Sequence, residues 1–286
     1  MAKPYRLSVL IGILALGLSA LPARAETVLS AKSALVLDAM GNVLYERNPT
    51  AKLPPASTTK VLTVLVALES AHLDDPVSIS RKAAAAEPSK LGLKPGETYT
   101  VRELCYAALM KSANDACVAL AEHIAGSEAQ FAVLMNRKAR LLGARDSHFA
   151  NSNGLPHKKH YSTARDLAMI LQAALQNPVF VRIATTTSIE LEWPGHHPSV
   201  TVHNKNRLLT QYAYPVLGKT GYTLAARHCY VGQAQSENPV TVVLLGSQKL
   251  WPEARKLLDI GTQAVERQIA AGGGQAARTA LTPASY

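Results

Sequence analysis

Hydrophobic positions along the chain repeat at strand spacing in some segments and at helical spacing in others, and the order of the two kinds is informative. Ser33-Ala-Leu-Val-Leu-Asp38 is β-rich but alternates poorly, Ala39-Met-Gly-Asn42 reads as a turn, and Val43-Leu-Tyr-Glu46 returns as a second strand. Pro54-Pro55 stops any strand, and a helix is predicted from Thr58 to Ser70. Its interior (Val61, Leu62, Val64 to Leu68) is apolar nearly all round, which predicts a place at the centre of the fold. Thr100-Val-Arg-Glu103 is a capping box opening a helix through Met110. A helix is predicted from Asp115 to Ala125 with Gly126 ending it, and Thr163-Ala-Arg-Asp166 opens another through Leu175. From Ser188 the texture turns to β, with strands predicted at Ile189 to Trp193, Val200 to His203, Pro215 to Lys219, His228 to Gln233 and Val240 to Leu245. Pro252 begins a last helix to Ile269, and Ala271 to Tyr286, Gly/Ala-rich without periodicity, reads as a flexible tail. Strands first, helices in the middle, then strands and one helix predict an α+β fold. Its central antiparallel sheet is flanked by helices, beside a mainly helical subdomain.

The N-terminus belongs to none of these elements. Lys3 and Arg6 precede an apolar run from Leu7 to Leu21, and Ala23-Arg24-Ala25 supplies a small-x-small cleavage site. Residues 1–25 therefore read as a signal peptide, 26–270 as one catalytic domain and 271–286 as the tail. The run falls short of the roughly 20 residues a transmembrane helix needs, so the mature protein is expected to be exported, soluble and without a stable membrane anchor. Without the three basic residues of the leader, 27 Lys and Arg stand against 20 Asp and Glu, a net +7. That charge suits an anionic surface and selects none by itself. With aromatic residues at only 5%, a nucleic-acid binder has little to stack bases on, and export argues further against it. Cys105, Cys117 and Cys229 match no disulfide framework and no zinc spacing, so they read as small buried hydrophobes.

Three short motifs carry candidate chemistry. Ser57-Thr-Thr-Lys60 is the only S-x-x-K in the chain, and at i and i+3 on a helix the amine can reach the hydroxyl. A serine hydroxyl is a weak nucleophile until a base takes its proton, and a lysine held neutral by burial or nearby positive charge can be that base. The bland alternative is a helix-capping Ser57 and a solvated Lys60. Ser112-Ala-Asn114 lies at a predicted helix–helix junction, where Ser112 could equally cap the next helix. Such tripeptides are common, as Ser236-Glu-Asn238 between two strands shows. Lys219-Thr220-Gly221, the only K-T-G, ends a predicted strand, where glycine admits a close backbone and the ammonium and hydroxyl could grip a carboxylate. Each motif alone is weak; the three in this order and context are not.

This combination resembles the low-molecular-mass penicillin-binding proteins, specifically the D-alanyl-D-alanine carboxypeptidase family. Leu53 to Lys60, Leu109 to Ala116 and Gly218 to Thr223 read like the family's blocks. So do Leu141 to Gly143, Asn153 to Leu155, Tyr161 to Asp166 and His203 to Asn206, a likeness spanning Ala31 to Gly261. The resemblance implies a β-lactamase/D,D-peptidase-like fold and a serine peptidase acting on peptidoglycan stem peptides. Ser57 would be the nucleophile and Lys60 its base. Ser112 would relay the proton, Asn114 hold a substrate amide, and Lys219 and Thr220 bind the terminal carboxylate. Gly221 would admit the substrate backbone, and the N–H groups of Ser57 and Tyr222 would form the oxyanion hole. β-Lactams would be covalent inhibitors, and neither metal nor cofactor is needed.

Two departures from the family pattern stand near the site. Arg227 occupies a position usually glycine, and Lys249 stands where many relatives place an arginine that binds the carboxylate; either could substitute for it. Carboxypeptidase is the first expectation and D,D-endopeptidase the second, since only a short stretch follows Gly221. A β-lactamase is disfavoured because no E-x-x-L-N motif occurs, and the intact serine–lysine set argues against a non-catalytic wall-binding protein. His157 and His160 read as parts of a solvated loop, and Trp193 and Trp251 as packing residues.

Overall fold

The computed structural model describes residues 29–191 and 199–279, so the expected signal peptide, Trp193 and the end of the tail lie outside the described residues. The elements run β1 (Ser33–Leu37), β2 (Val43–Arg47), α1 (Lys60–Ser70), β3 (Pro76–Ser78), α2 (Arg81–Ala84), β4 (Thr98–Thr100), α3 (Val101–Tyr106), α4 (Asn114–Ala125) and α5 (Glu128–Leu141). They continue with α6 (Ala164–Ala174), α7 (Pro178–Thr185), β5 (Ser188–Leu191), β6 (Val200–His203), α8 (Leu208–Gln211), β7 (Val216–Thr223), β8 (Arg227–Ala234), β9 (Val240–Ser247) and α9 (Leu250–Thr279).

Five strands form one antiparallel sheet in the order β2-β1-β9-β8-β7. Both faces of its centre are covered, and the sequence pattern follows. Ala34 and Val36 of β1 and Val242 and Leu244 of β9 pack with Leu257 and Leu258 of α9 on one face. Leu35, Val243 and Leu245 join Val61, Leu62 and Leu65 of α1 in the main core on the other. A strand buried on both sides has no reason to alternate, which accounts for the weak period of β1.

Every residue of α1 from Lys60 to Ala67 is buried, so the all-apolar helix is the central one, as its pattern predicts. The helical subdomain is assembled by caps legible in the sequence. Thr100 and Glu103 make both bonds of a capping box, Thr163 Oγ1 accepts from Asp166 N–H, and Gly126 ends α4 at φ 74°. Differences from expectation are local. The helix predicted through Met110 becomes α3 followed by one π-helical turn, Ala107–Lys111. The last helix passes its expected end at Ile269, its backbone continuing to Thr279. Four helices, α2, α5, α7 and α8, and the short strands β3 and β4 are not among the predicted elements.

Candidate active site

The site forms where the start of α1 meets the end of β7. Ala56–Thr59 is a single 3-10 turn carrying Ser57 into α1, and Thr58 Oγ1 secures it by donating to Pro55 O at 2.7 Å. Neither bland reading of the first motif holds. Pro55 and Thr59 occupy the N-cap positions of the turn and of α1, and Ser57 caps neither. Lys60 is fully buried.

The Lys60 ammonium has three donors and the structure gives it three acceptors: Ser57 Oγ at 2.9 Å, Asn114 Oδ1 at 2.7 Å and the Asn153 carbonyl at 2.6 Å. Burial pushes its pKa down to about 8; Cys117 pulls the other way, the positive charge of Lys205 lowers it further, and Asp115 opposes more weakly. Losing one proton needs no movement. The neutral amine keeps two N–H groups for Asn114 and Asn153 and turns its lone pair to the Ser57 hydroxyl.

Each acceptor is itself held. Asn114 Nδ2 donates to Glu87 O at 2.8 Å. The neighbouring Asp115 carboxylate accepts from the N–H groups of Leu91, Gly92 and Leu93, pinning the adjacent loop to the start of α4. Asn153 lies on a loop fixed by Glu128, whose carboxylate accepts from Ser152 Oγ at 2.6 Å. Gly154 at φ +86° lets that loop lie on the nucleophile's turn, since a Cβ there would stand 1.9 Å from Ala56 O. Ser112 is nearly buried in the left-handed region (φ 65°, ψ 35°), ending the π-helical turn rather than capping α4, whose N-cap is Ala113.

Ser57, Ser112, Asn114, Thr220, Gly221 and Tyr222 line one cleft of about 540 Å³. Gly221 brings β7 against the nucleophile: a Cβ there would lie 2.8 Å from Ser57 N. Lys219 is buried with its ammonium donating to Thr220 O at 2.9 Å, and burial with the charges of Lys60 and Lys205 holds its pKa well below the usual lysine range. All eight residues singled out by sequence therefore converge: seven at the cleft or bonded to Ser57, and Lys219 directly behind Thr220.

The two cations offered by sequence for carboxylate binding do not line this cleft. Arg227 is exposed at the start of β8, at φ 58°, in the left-handed conformation that glycine adopts most easily, and Lys249 is exposed before α9. Lys205 and Arg207 line the cleft instead. Lys205 Nζ donates to Ser89 Oγ at 2.8 Å, and the Arg207 guanidinium sits 5.8 Å from the ring centre of Trp251, which thus serves the cleft wall as well as the core. His160 is also corrected: it is buried, with Nε2 2.9 Å from Thr59 Oγ1, and burial pushes its pKa down to about 4. The three cysteines are buried and unpaired.

The sequence profile of the D-alanyl-D-alanine carboxypeptidase family matches residues 21–249 of the chain. A D-alanyl-D-alanine carboxypeptidase of Mycobacterium tuberculosis is 37% identical over 77% of this chain and 78% of its own length. A D-alanyl-D-alanine endopeptidase of Pseudomonas aeruginosa is 35% identical over 76% of this chain and 71% of its own. Of two further carboxypeptidase relatives the chain spans only 56% and 60% of the length. The crystal structure of a D-alanyl-D-alanine carboxypeptidase from M. tuberculosis superposes with a TM-score of 0.76, at 36% identity, over 82% of this chain and 91% of that one.

Proposed function

Given that the chain belongs to the D-alanyl-D-alanine carboxypeptidase family, we propose that it is an exported enzyme that removes the terminal D-alanine of peptidoglycan stem pentapeptides through an acyl-enzyme on Ser57. The observation that carries this reading is the buried Lys60 amine 2.9 Å from Ser57 Oγ, with both of its other partners fixed. Lys60 takes the Ser57 proton as Oγ bonds to the D-Ala-D-Ala carbonyl carbon. The negative oxygen that develops is met by the N–H groups of Ser57 and Tyr222. As the C–N bond breaks, Ser112 passes a proton to the leaving amine and takes its replacement from the Lys60 ammonium, which returns Lys60 to its neutral form. Water then hydrolyses the ester, with Lys60 again the base. Asn114 holds a substrate amide, and Lys219 and Thr220, with Lys205 of the same cleft, bind the terminal carboxylate. β-Lactams enter as substrate mimics and acylate the same serine.

A second reading, cleavage of D-Ala cross-links, is favoured by the similarity to the P. aeruginosa endopeptidase. Digesting a mixture of pentapeptide monomer and D-Ala-linked dimer, with Ser57→Ala as control, separates the two. Loss of one alanine from the pentapeptide is expected. Conversion of dimer to monomer with the pentapeptide untouched makes it an endopeptidase, and no change in either refutes both.

A further inference from the structure

A second cavity, of about 670 Å³, adjoins the catalytic cleft and shares Gly154, Leu155 and Thr223 with it. Pro54, Pro55 and Pro156 give it apolar walls, and the basic run His157-Lys158-Lys159 lines it beside them. That run is shaped by its own hydrogen bonds: Lys159 N–H donates to His157 Nδ1 at 3.1 Å and His160 N–H to His157 O at 2.9 Å. Lys158 and Lys159 are exposed, and among the described residues no carboxylate pairs with either. A cation pair without carboxylate partners lining a proline-walled cavity invites an anion on an aliphatic stem.

Strand direction says which part of a ligand arrives there. β7 is the edge strand of the sheet, so an extended peptide can lie along it. On the reading proposed above, the substrate's carboxylate sits at Thr220 and its scissile carbonyl at Ser57, near Gly221. The peptide then runs antiparallel to β7, and its residues upstream of the scissile bond pass Thr223 and enter the second cavity. We infer that this cavity is the subsite for the acyl donor two or three residues before the scissile bond, and that Lys158 and Lys159 select a carboxylate there. The inference rests on the proposed D,D-peptidase activity.

The test compares two synthetic pentapeptides ending in D-Ala-D-Ala, identical except that the upstream side chain carries a carboxylate in one and its amide in the other. At low ionic strength the wild type should favour the acid in kcat/KM by about fivefold, the factor that an exposed ion pair of about 1 kcal/mol gives. The difference should fall on KM. Lys158→Ala/Lys159→Ala should bring the ratio to about one, and Lys158→Arg/Lys159→Arg should restore it. A ratio near one in the wild type, or one that the double alanine variant leaves intact, overturns the subsite. Hydrolysis of neither peptide by the wild type overturns instead the activity on which it rests.

Discussion

Replacing Lys60 with methionine should slow acylation of Ser57 by a factor of about 10² to 10⁴, the range that a positioned general base contributes. Methionine keeps most of the length and the apolar stem, so the change removes the amine with little loss of packing. It leaves Asn114 Oδ1 and the Asn153 carbonyl without their donor, at about 1–3 kcal/mol for each buried acceptor, so circular dichroism should accompany the kinetics. The pH dependence is the sharper signature. Lys60 accepts a proton only when neutral, and its pKa is pushed down to about 8. The wild-type rate should therefore rise as pH increases and level off above about 8. That ascending limb should vanish in Lys60→Met. A limb that survives in the variant would assign the titration to another group.

Gly221→Ala should cost about 10²-fold or more in turnover, although it adds one methyl group to a residue that touches no proton. Its Cβ would stand 2.8 Å from Ser57 N, 3.0 Å from Ala56 Cβ and 3.1 Å from Pro55 O, all parts of one short turn. Either β7 or the turn must shift, and a displacement of about 1 Å between nucleophile and oxyanion donors is enough for such a loss. Overpacking of this kind also costs about 1–3 kcal/mol in stability. The check is kcat/KM together with a melting curve: a variant that folds and retains near-wild-type kcat/KM would mean that the close approach of β7 to Ser57 is not required.

Much of this was legible because the physics was local. The caps at Thr100 and Thr163 are short-range hydrogen bonds, and α1 announces its burial by lacking a polar face. The unexpected helices carried readable signals too. Ser127 caps α5 by accepting from Gln130 N–H, and Asn177 with Pro178 opens α7. The polar outer face of α5 hid its period. What could not be read is what depends on loops meeting in space. The third partner of Lys60 is a backbone carbonyl, of Asn153, and no side-chain motif encodes its direction. Arg227 is close to K-T-G along the chain, yet the turn between β7 and β8 carries it out of the cleft. Lys205 and Arg207, which do line the cleft, arrive through the connection between β6 and α8.

The central claim is that Ser57 is the nucleophile activated by Lys60. Incubating the protein with a β-lactam and locating the added mass by peptide mapping tests it most directly. One equivalent of the opened lactam on the peptide containing Ser57, absent in Ser57→Ala, is the predicted result. An adduct that persists in Ser57→Ala, or maps to another peptide, would contradict it.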